Sequence, residues 1–221
     1  TVITSTMMHH RYAALVLLWT TSTHAKTPKP QIEIKTSKGT LHLELTPDHT
    51  PITVENFLAY VDAAFFDGLT FHRVIKGFMA QGGGYDSELD EKPALFPPIK
   101  LEAATALSNT RGTIAMARTS DPDSATSEFF INHADNLFLD HAKDRDGYAV
   151  FGYVVDGLSV LDAIATVATH SVTVHGTKFD DVPKTPIVIE SIRRVEVAAP
   201  TAEPTAAPKP RPTPRPPTAP P

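Results

Sequence analysis

Apolar and polar positions alternate in Ile32-Glu33-Ile34-Lys35-Thr36 and again in Leu41-His42-Leu43-Glu44-Leu45, with Ser37-Lys38-Gly39 between the two runs. A period of two puts every second side chain on one face, so the pair reads as a β-hairpin with one buried face. The period then changes. Thr50-Pro51 supplies a capping residue followed by proline at the first helical position. Val54, Phe57, Leu58 and Val61 follow at helical spacing and make one apolar stripe, which Asp67-Gly68 ends. Short strand-like runs recur at Thr70 to Ile75, Met79 to Gly82, Thr113 to Ala117, Glu128 to Asn132 and Ala149 to Val155. A second short helix is predicted over Leu158 to Val167, and Ile187 to Ile192 reads as a final strand. Many short strands with two isolated helices predict a mainly β fold, a closed antiparallel barrel capped by the helices. Periodicity alone leaves a β-sandwich open as the alternative.

Composition changes that picture mainly at the ends of the chain. Of 221 residues, 41% are hydrophobic and 20% charged, which describes one globular domain with tails and a core large enough to fold without staples. The formal net charge of -5 gives no basic field for nucleic acid. With no cysteine, disulfides, thiolate metal sites and cysteine nucleophiles are all excluded. Met8-His9-His10-Arg11 precedes the apolar run Tyr12 to Trp19, and small and polar residues end in Thr23-His24-Ala25. That order predicts an export signal cleaved after Ala25, within residues 1–25, with Thr1 to Thr6 as an upstream extension. The apolar run is too short to span a bilayer, so no membrane span is expected in the mature chain. A short leader (26–30) then precedes the folded domain (31–197). Ten of the twenty prolines lie between Pro200 and Pro221, so residues 198–221 read as a disordered Pro/Ala-rich tail. A periplasmic protein, monomeric by default, is the resulting expectation.

The chemistry concentrates in three segments. Phe71 to Gly84 sets Arg73, Phe78, Met79 and Gln81 close together before three glycines. On a strand, Arg73, Gln81 and, after a turn at Gly77, Phe78 converge on one face. Gly112 to Arg118 is the second segment, and Ser127 to Asn132 with Asn136 to Asp140 the third. Taken singly these residues have plainer readings: a strand arginine is usually a solvated surface group, and phenylalanines are usually core. Together they resemble the cyclophilin family, in particular its compact bacterial members. The family's FHRVIxGFMxQGG block is matched by Phe71 to Gly83, its Gly…Met-Ala block by Gly112 to Ala117, and its S-x-FFI block by Ser127 to Ile131. A VFG turn is matched at Val150-Phe151-Gly152, and the likeness runs from Gln31 to Val195 in the family's order.

The resemblance implies an eight-stranded antiparallel barrel with two capping helices and peptidyl-prolyl cis/trans isomerase activity without cofactor or metal. Its substrates would be proline-containing peptides and unfolded protein chains. It implies catalytic roles for Arg73 and Gln81, a proline slot of Phe78, Met79, Phe130 and Leu139, and backbone pairing of substrate along Ala117-Arg118. Three positions depart from the best-known eukaryotic pattern. Phe138 stands where tryptophan is frequent, which implies weak or no cyclosporin binding. Tyr148 replaces a rim histidine, and Glu128 replaces the usual glutamine. Glu128 is expected beside Arg73, orienting its guanidinium. Phe129 is read as core because Phe130 alternates to the other face, and His72, opposite Arg73, as structural.

Other polar clusters are weaker. His133, His141, His170 and His175 are scattered without metal-ligand spacing, and Gly82-Gly83-Gly84 lacks the context of a phosphate loop. Two rivals to an enzyme remain: a module that holds proline peptides in the same groove without turnover, and a scaffold whose tail recruits a partner.

Overall fold

The computed structural model describes residues 29–195; the candidate export signal and the proline-rich tail lie outside them. The hairpin forms as the alternation requires. Strand β1 (Gln31–Thr36) pairs with β2 (Gly39–Leu45), with Ile34 opposite Leu41 and Ile32 opposite Leu43, all four buried. Its turn is fastened by the Thr36 hydroxyl, which donates to the Gly39 carbonyl (2.7 Å) and accepts from the Lys38 amide (3.0 Å). Helix α1 (Pro51–Asp62) buries Val54, Phe57, Leu58 and Val61 as its stripe predicts. Its first turn is held differently from expectation. The Thr50 hydroxyl reaches back to the Thr46 and Val150 carbonyls, and the carboxylate of Glu102 accepts from the amides of Ile52 (3.2 Å) and Thr53 (2.8 Å). An acceptor from a distant loop thus satisfies donors that the first helical turn leaves unpaired.

The remaining elements are β3 (Arg73–Ile75), β4 (Met79–Gly82), β5 (Thr113–Met116), β6 (Phe129–Asn132), β7 (Val150–Asp156), α2 (Leu158–Ala165), β8 (Thr169–Val174), β9 (Thr177–Pro183) and β10 (Ile189–Val195). Eight strands form one antiparallel sheet in the order β10-β1-β2-β7-β5-β6-β4-β3, and β8 pairs only with β9 in a separate hairpin. The expected closed barrel is therefore corrected to a curled, open eight-stranded sheet with two helices. The reason is local. β3 is three residues long, and the segment before it, expected to be strand from Thr70, meets the approach to β10 through isolated bonds rather than a ladder. Gly68 donates to the Ile189 carbonyl (2.9 Å), Ile189 to Leu69 (2.7 Å) and Phe71 to Ile187 (3.0 Å).

Alternation along the strands builds two apolar clusters. Ala80, Ile114, Met116, Phe129 and Ile131 face the main core, where Phe57, Phe66, Phe71, Phe129 and Phe151 interlock. Their neighbours Met79, Ala115 and Phe130 face outward and join Val150 in a smaller cluster. The central strands are thus apolar on both faces, and the outer face carries the candidate site.

Candidate active site

Strand pairing sets the floor. Arg73 on β3 lies opposite Gln81 on β4, Gln81 opposite Phe130 on β6, and Phe130 opposite Ala115 on β5. One row of side chains across three strands therefore runs from a cation through an amide to a ring. Phe78 enters from the turn before β4, where Gly77 has φ +76°, a conformation that suits glycine. The Phe78 carbonyl accepts from the His133 amide (2.8 Å) and the Asn136 side chain (2.9 Å), which fixes the ring's position.

The far wall hangs on buried amides. Asn136 donates to the Asn132 side-chain oxygen (2.7 Å), and Asn132 donates to the Asn109 side-chain oxygen (3.2 Å) and the Thr113 hydroxyl (2.9 Å). Asn109 donates to Asp140 through its backbone (2.7 Å) and side chain (2.9 Å). This network pins the single 3-10 turn Leu137–Leu139, which carries Leu139 into the slot. None of these amides was singled out from the sequence. The signal available was a pair of asparagines four apart, Asn132 and Asn136, following an apolar strand.

Arg73, Phe78, Met79, Gln81, Ala117, Arg118, Phe130, Leu139 and Tyr148 together line one cleft of about 160 Å³. Phe130 meets Tyr148 edge-on at 5.6 Å. Phe138 is not among the lining residues. It is 60% exposed and stacks on Phe78 at 5.7 Å, so it shields the slot from outside. The Arg118 guanidinium donates to the Gly147 carbonyl (3.2 and 3.0 Å) and lies over the Tyr148 ring at 4.7 Å, clamping the tyrosine in place. The Ala117 amide donates to the Glu128 carbonyl (2.9 Å), so that one donor is already engaged within the sheet.

Arg73 stands at the cleft edge with its side chain 42% exposed, 3.9 Å from the half-exposed carboxylate of Asp181. The expected contact between Glu128 and Arg73 is not made. Glu128 instead accepts from the Gln81 side chain (2.8 Å) and lies 3.4 Å from Nε2 of His72. The physical reason is facing: Gln81 lies between the end of β6 and β3, so it meets the carboxylate first. Burial pushes the Glu128 carboxyl up; the Gln81 hydrogen bond opposes that and the charge of Glu91 adds to it. His72, the residue before β3, is buried against Tyr85. Burial, aided by the charge of Arg73, pushes it down to about 4, so it is neutral at physiological pH. Among the described residues no group of three or more His, Cys, Asp or Glu is placed to hold a metal ion.

A curled antiparallel sheet whose outer face offers an apolar slot, a cation and an amide defines a groove for an extended peptide with one ring-like side chain. Comparison with known proteins gives that class its family. Residues 31–194 match the model of the cyclophilin type peptidyl-prolyl cis-trans isomerases. The chain is 49% identical over 177 residues to peptidyl-prolyl cis-trans isomerase A of Dickeya dadantii, covering 80% of this chain and 87% of that one. It is 46% identical to peptidyl-prolyl cis-trans isomerase B of Escherichia coli, covering 73% and 97%. A cyclophilin-type isomerase of Cryptosporidium parvum solved in the presence of the dipeptide Ala-Pro superposes with a TM-score of 0.60 at 25% identity, covering 74% of this chain and 97% of that one. The chain belongs to the cyclophilin-type peptidyl-prolyl cis-trans isomerase family, and it is an enzyme of that kind.

Proposed function

We propose that the cleft between Arg73 and Tyr148 accelerates rotation about X-Pro bonds of peptides and unfolded chains, with Arg73 as the catalytic cation. The barrier of ~18–20 kcal/mol comes from amide resonance. No bond breaks during rotation, so the task needs no nucleophile or cofactor, only tighter binding of the twisted amide than of either planar form. In the twisted state the prolyl nitrogen regains a lone pair. A guanidinium, charged at every physiological pH, donates to it there and not in the planar states. The slot of Phe78, Met79, Phe130 and Leu139 holds the ring, and Gln81 binds the substrate backbone. Removing ~7 kcal/mol from the barrier corresponds to roughly 10⁵-fold acceleration.

The observation that carries this reading is the row Arg73–Gln81–Phe130 set across three paired strands at the edge of the apolar cleft. The test is isomerisation of a cis X-Pro peptide by wild type and Arg73→Ala. The variant should lose on the order of 10²-fold or more in kcat/KM with an unchanged melting temperature, since a half-exposed pair at 3.9 Å contributes little to stability. Equal rates would remove Arg73 from the mechanism.

The pattern of residues 8–25 supports an exported, periplasmic folding role, and a mature N-terminus at Lys26, read by mass spectrometry, tests it. A monomer and weak cyclosporin binding complete the proposal. The latter rests on Phe138, whose ring lacks the N–H donor of an indole.

A further inference from the structure

Beside the proline cleft lies a second cavity of about 380 Å³ that shares Arg73 and Gln81 as a wall. Its other sides include His72, Tyr85, Glu128 and the β9 residues Lys178 and Asp180. Glu128 is built into this wall rather than draped over it. A Cβ added at Gly84 would come within 2.7 Å of its Cγ and Cδ, so the glycine backbone makes room for the carboxyl. The carboxylate accepts from Nε2 of Gln81 at 2.8 Å.

An ionised carboxylate only accepts hydrogen bonds, whereas a side-chain amide both donates and accepts. With glutamate at 128, Gln81 has to present its NH2 end to the wall, which turns its oxygen the other way. With glutamine at 128, either orientation of Gln81 satisfies the pair. We propose that Glu128 is a positioning residue: it holds the Gln81 amide with its carbonyl oxygen towards the peptide groove, so that Gln81 receives a substrate backbone N–H. Protonation of Glu128 makes it a donor, allows the amide to turn over and exchanges that acceptor for a donor. Substrate binding then changes with pH through a residue that does not itself touch substrate. This inference rests on the placing of Gln81 in the substrate groove proposed above.

The charged and titratable groups facing Glu128 are His72 and Arg73 from the β3 segment, Tyr85 and Glu91 from the loop after β4, and Lys178 and Asp180 from β9. His72 stays neutral over the range concerned. The tautomer with its proton on Nε2 faces the carboxylate and leaves the buried Nδ1, which has no partner, as a bare acceptor.

The experiment uses the full chain as wild type and the isosteric Glu128→Gln. The side-chain amide resonances of Gln81 and kcat/KM for an X-Pro peptide, both by NMR, are followed from about pH 5 to about pH 8. In wild type the Gln81 resonances and kcat/KM should move together with one midpoint above the usual carboxylate range, kcat/KM changing by roughly threefold or more. Both should be flat in Glu128→Gln. A Gln81 signal that does not titrate in wild type, or a Glu128→Gln profile that keeps the wild-type transition, overturns the proposal. The amide signal is read without substrate. Absence of turnover at every pH would therefore count against the isomerase mechanism alone, and loss of the amide titration with turnover intact against Glu128 alone.

Discussion

Adjacent residues in this chain serve opposite faces of one sheet, and Phe129 and Phe130 separate the consequences. Phe129 has no exposed surface and meets Phe57, Phe66 and Phe71 edge-on, so Phe129→Ala should cost about 3–5 kcal/mol of stability. Phe130 lines the cleft, where removal enlarges a space already open to water. Phe130→Ala should cost clearly less in urea denaturation while raising KM about tenfold or more for an X-Pro peptide. Equal stability losses in the two variants would mean that the cleft is part of the core. His72 gives the second prediction at this scale. Its folded value of about 4 lies below its usual 6.5, so between those pH values the unfolded chain binds a proton that the folded chain does not. Its contribution to stability is full above pH 6.5 and is lost as pH falls towards 4, by on the order of 3 kcal/mol. Glu128, with its carboxyl pushed up, has the opposite slope, since its ionisation disfavours the fold as pH rises. His72→Phe removes the first term and leaves the second. Denaturation midpoints at about pH 7.5 and pH 5 should fall less in the variant than in wild type. Parallel falls would show that His72 is not buried neutral.

Elements whose cause lies in adjacent sequence were legible in the sequence, and those whose cause lies far along the chain were not. The β1–β2 hairpin and the buried stripe of α1 follow from periods of two and of about 3.6, which any short window contains. The β8–β9 hairpin escaped because it has no strongly buried face. Thr169–Val174 is partly or fully exposed at every position, so no alternation of apolar residues marks it. The helix cap escaped for a different reason: Glu102 lies 49 residues from Thr53. The same distance rule separates the parts of the site. The slot residues were legible through blocks of adjacent residues, whereas the Gln81–Glu128 bond joins positions 47 apart and replaced the expected contact with Arg73. The remote cap makes its own prediction. Glu102 satisfies two amides of the α1 first turn and the Thr53 hydroxyl, at the positive end of the helix dipole. Glu102→Ala should therefore cost about 1 kcal/mol, within the ~0.5–2 kcal/mol range of lost caps. Thermal unfolding reads this as a melting point lower by about 2–6 °C. No change would place the capping duty on water instead.

At the scale of the whole molecule the open sheet poses a question of integrity, because its edge strands are β3, which carries Arg73, and β10, near the end of the described chain. An open sheet with free edges opens locally, and a cation on an opening edge is poorly placed for catalysis by fixed charge. The seam between those edges is not free. Residues 68–71 and 187–189 exchange backbone bonds across it, with Ile189 both donating to Leu69 and accepting from Gly68. Ile187, Ile189, Leu69 and Phe71 are buried beneath it. Outside, Arg193 and Arg194 of β10 pair with Asp67, in the turn after α1, and Asp62, the last residue of α1, holding the carboxyls below their usual range. Apolar burial under the bonds and ion pairs outside them tie the edge that carries Arg73 to the opposite half of the sheet. The seam amides should then open only with the whole fold. In native-state hydrogen exchange the amides of Gly68, Phe71 and Ile189 should be protected to within about tenfold of Ile34 and Leu43 in the first hairpin. Exchange about a hundredfold faster at the seam would mean that the edge breathes independently, and that Arg73 reaches its working position only when substrate closes the sheet.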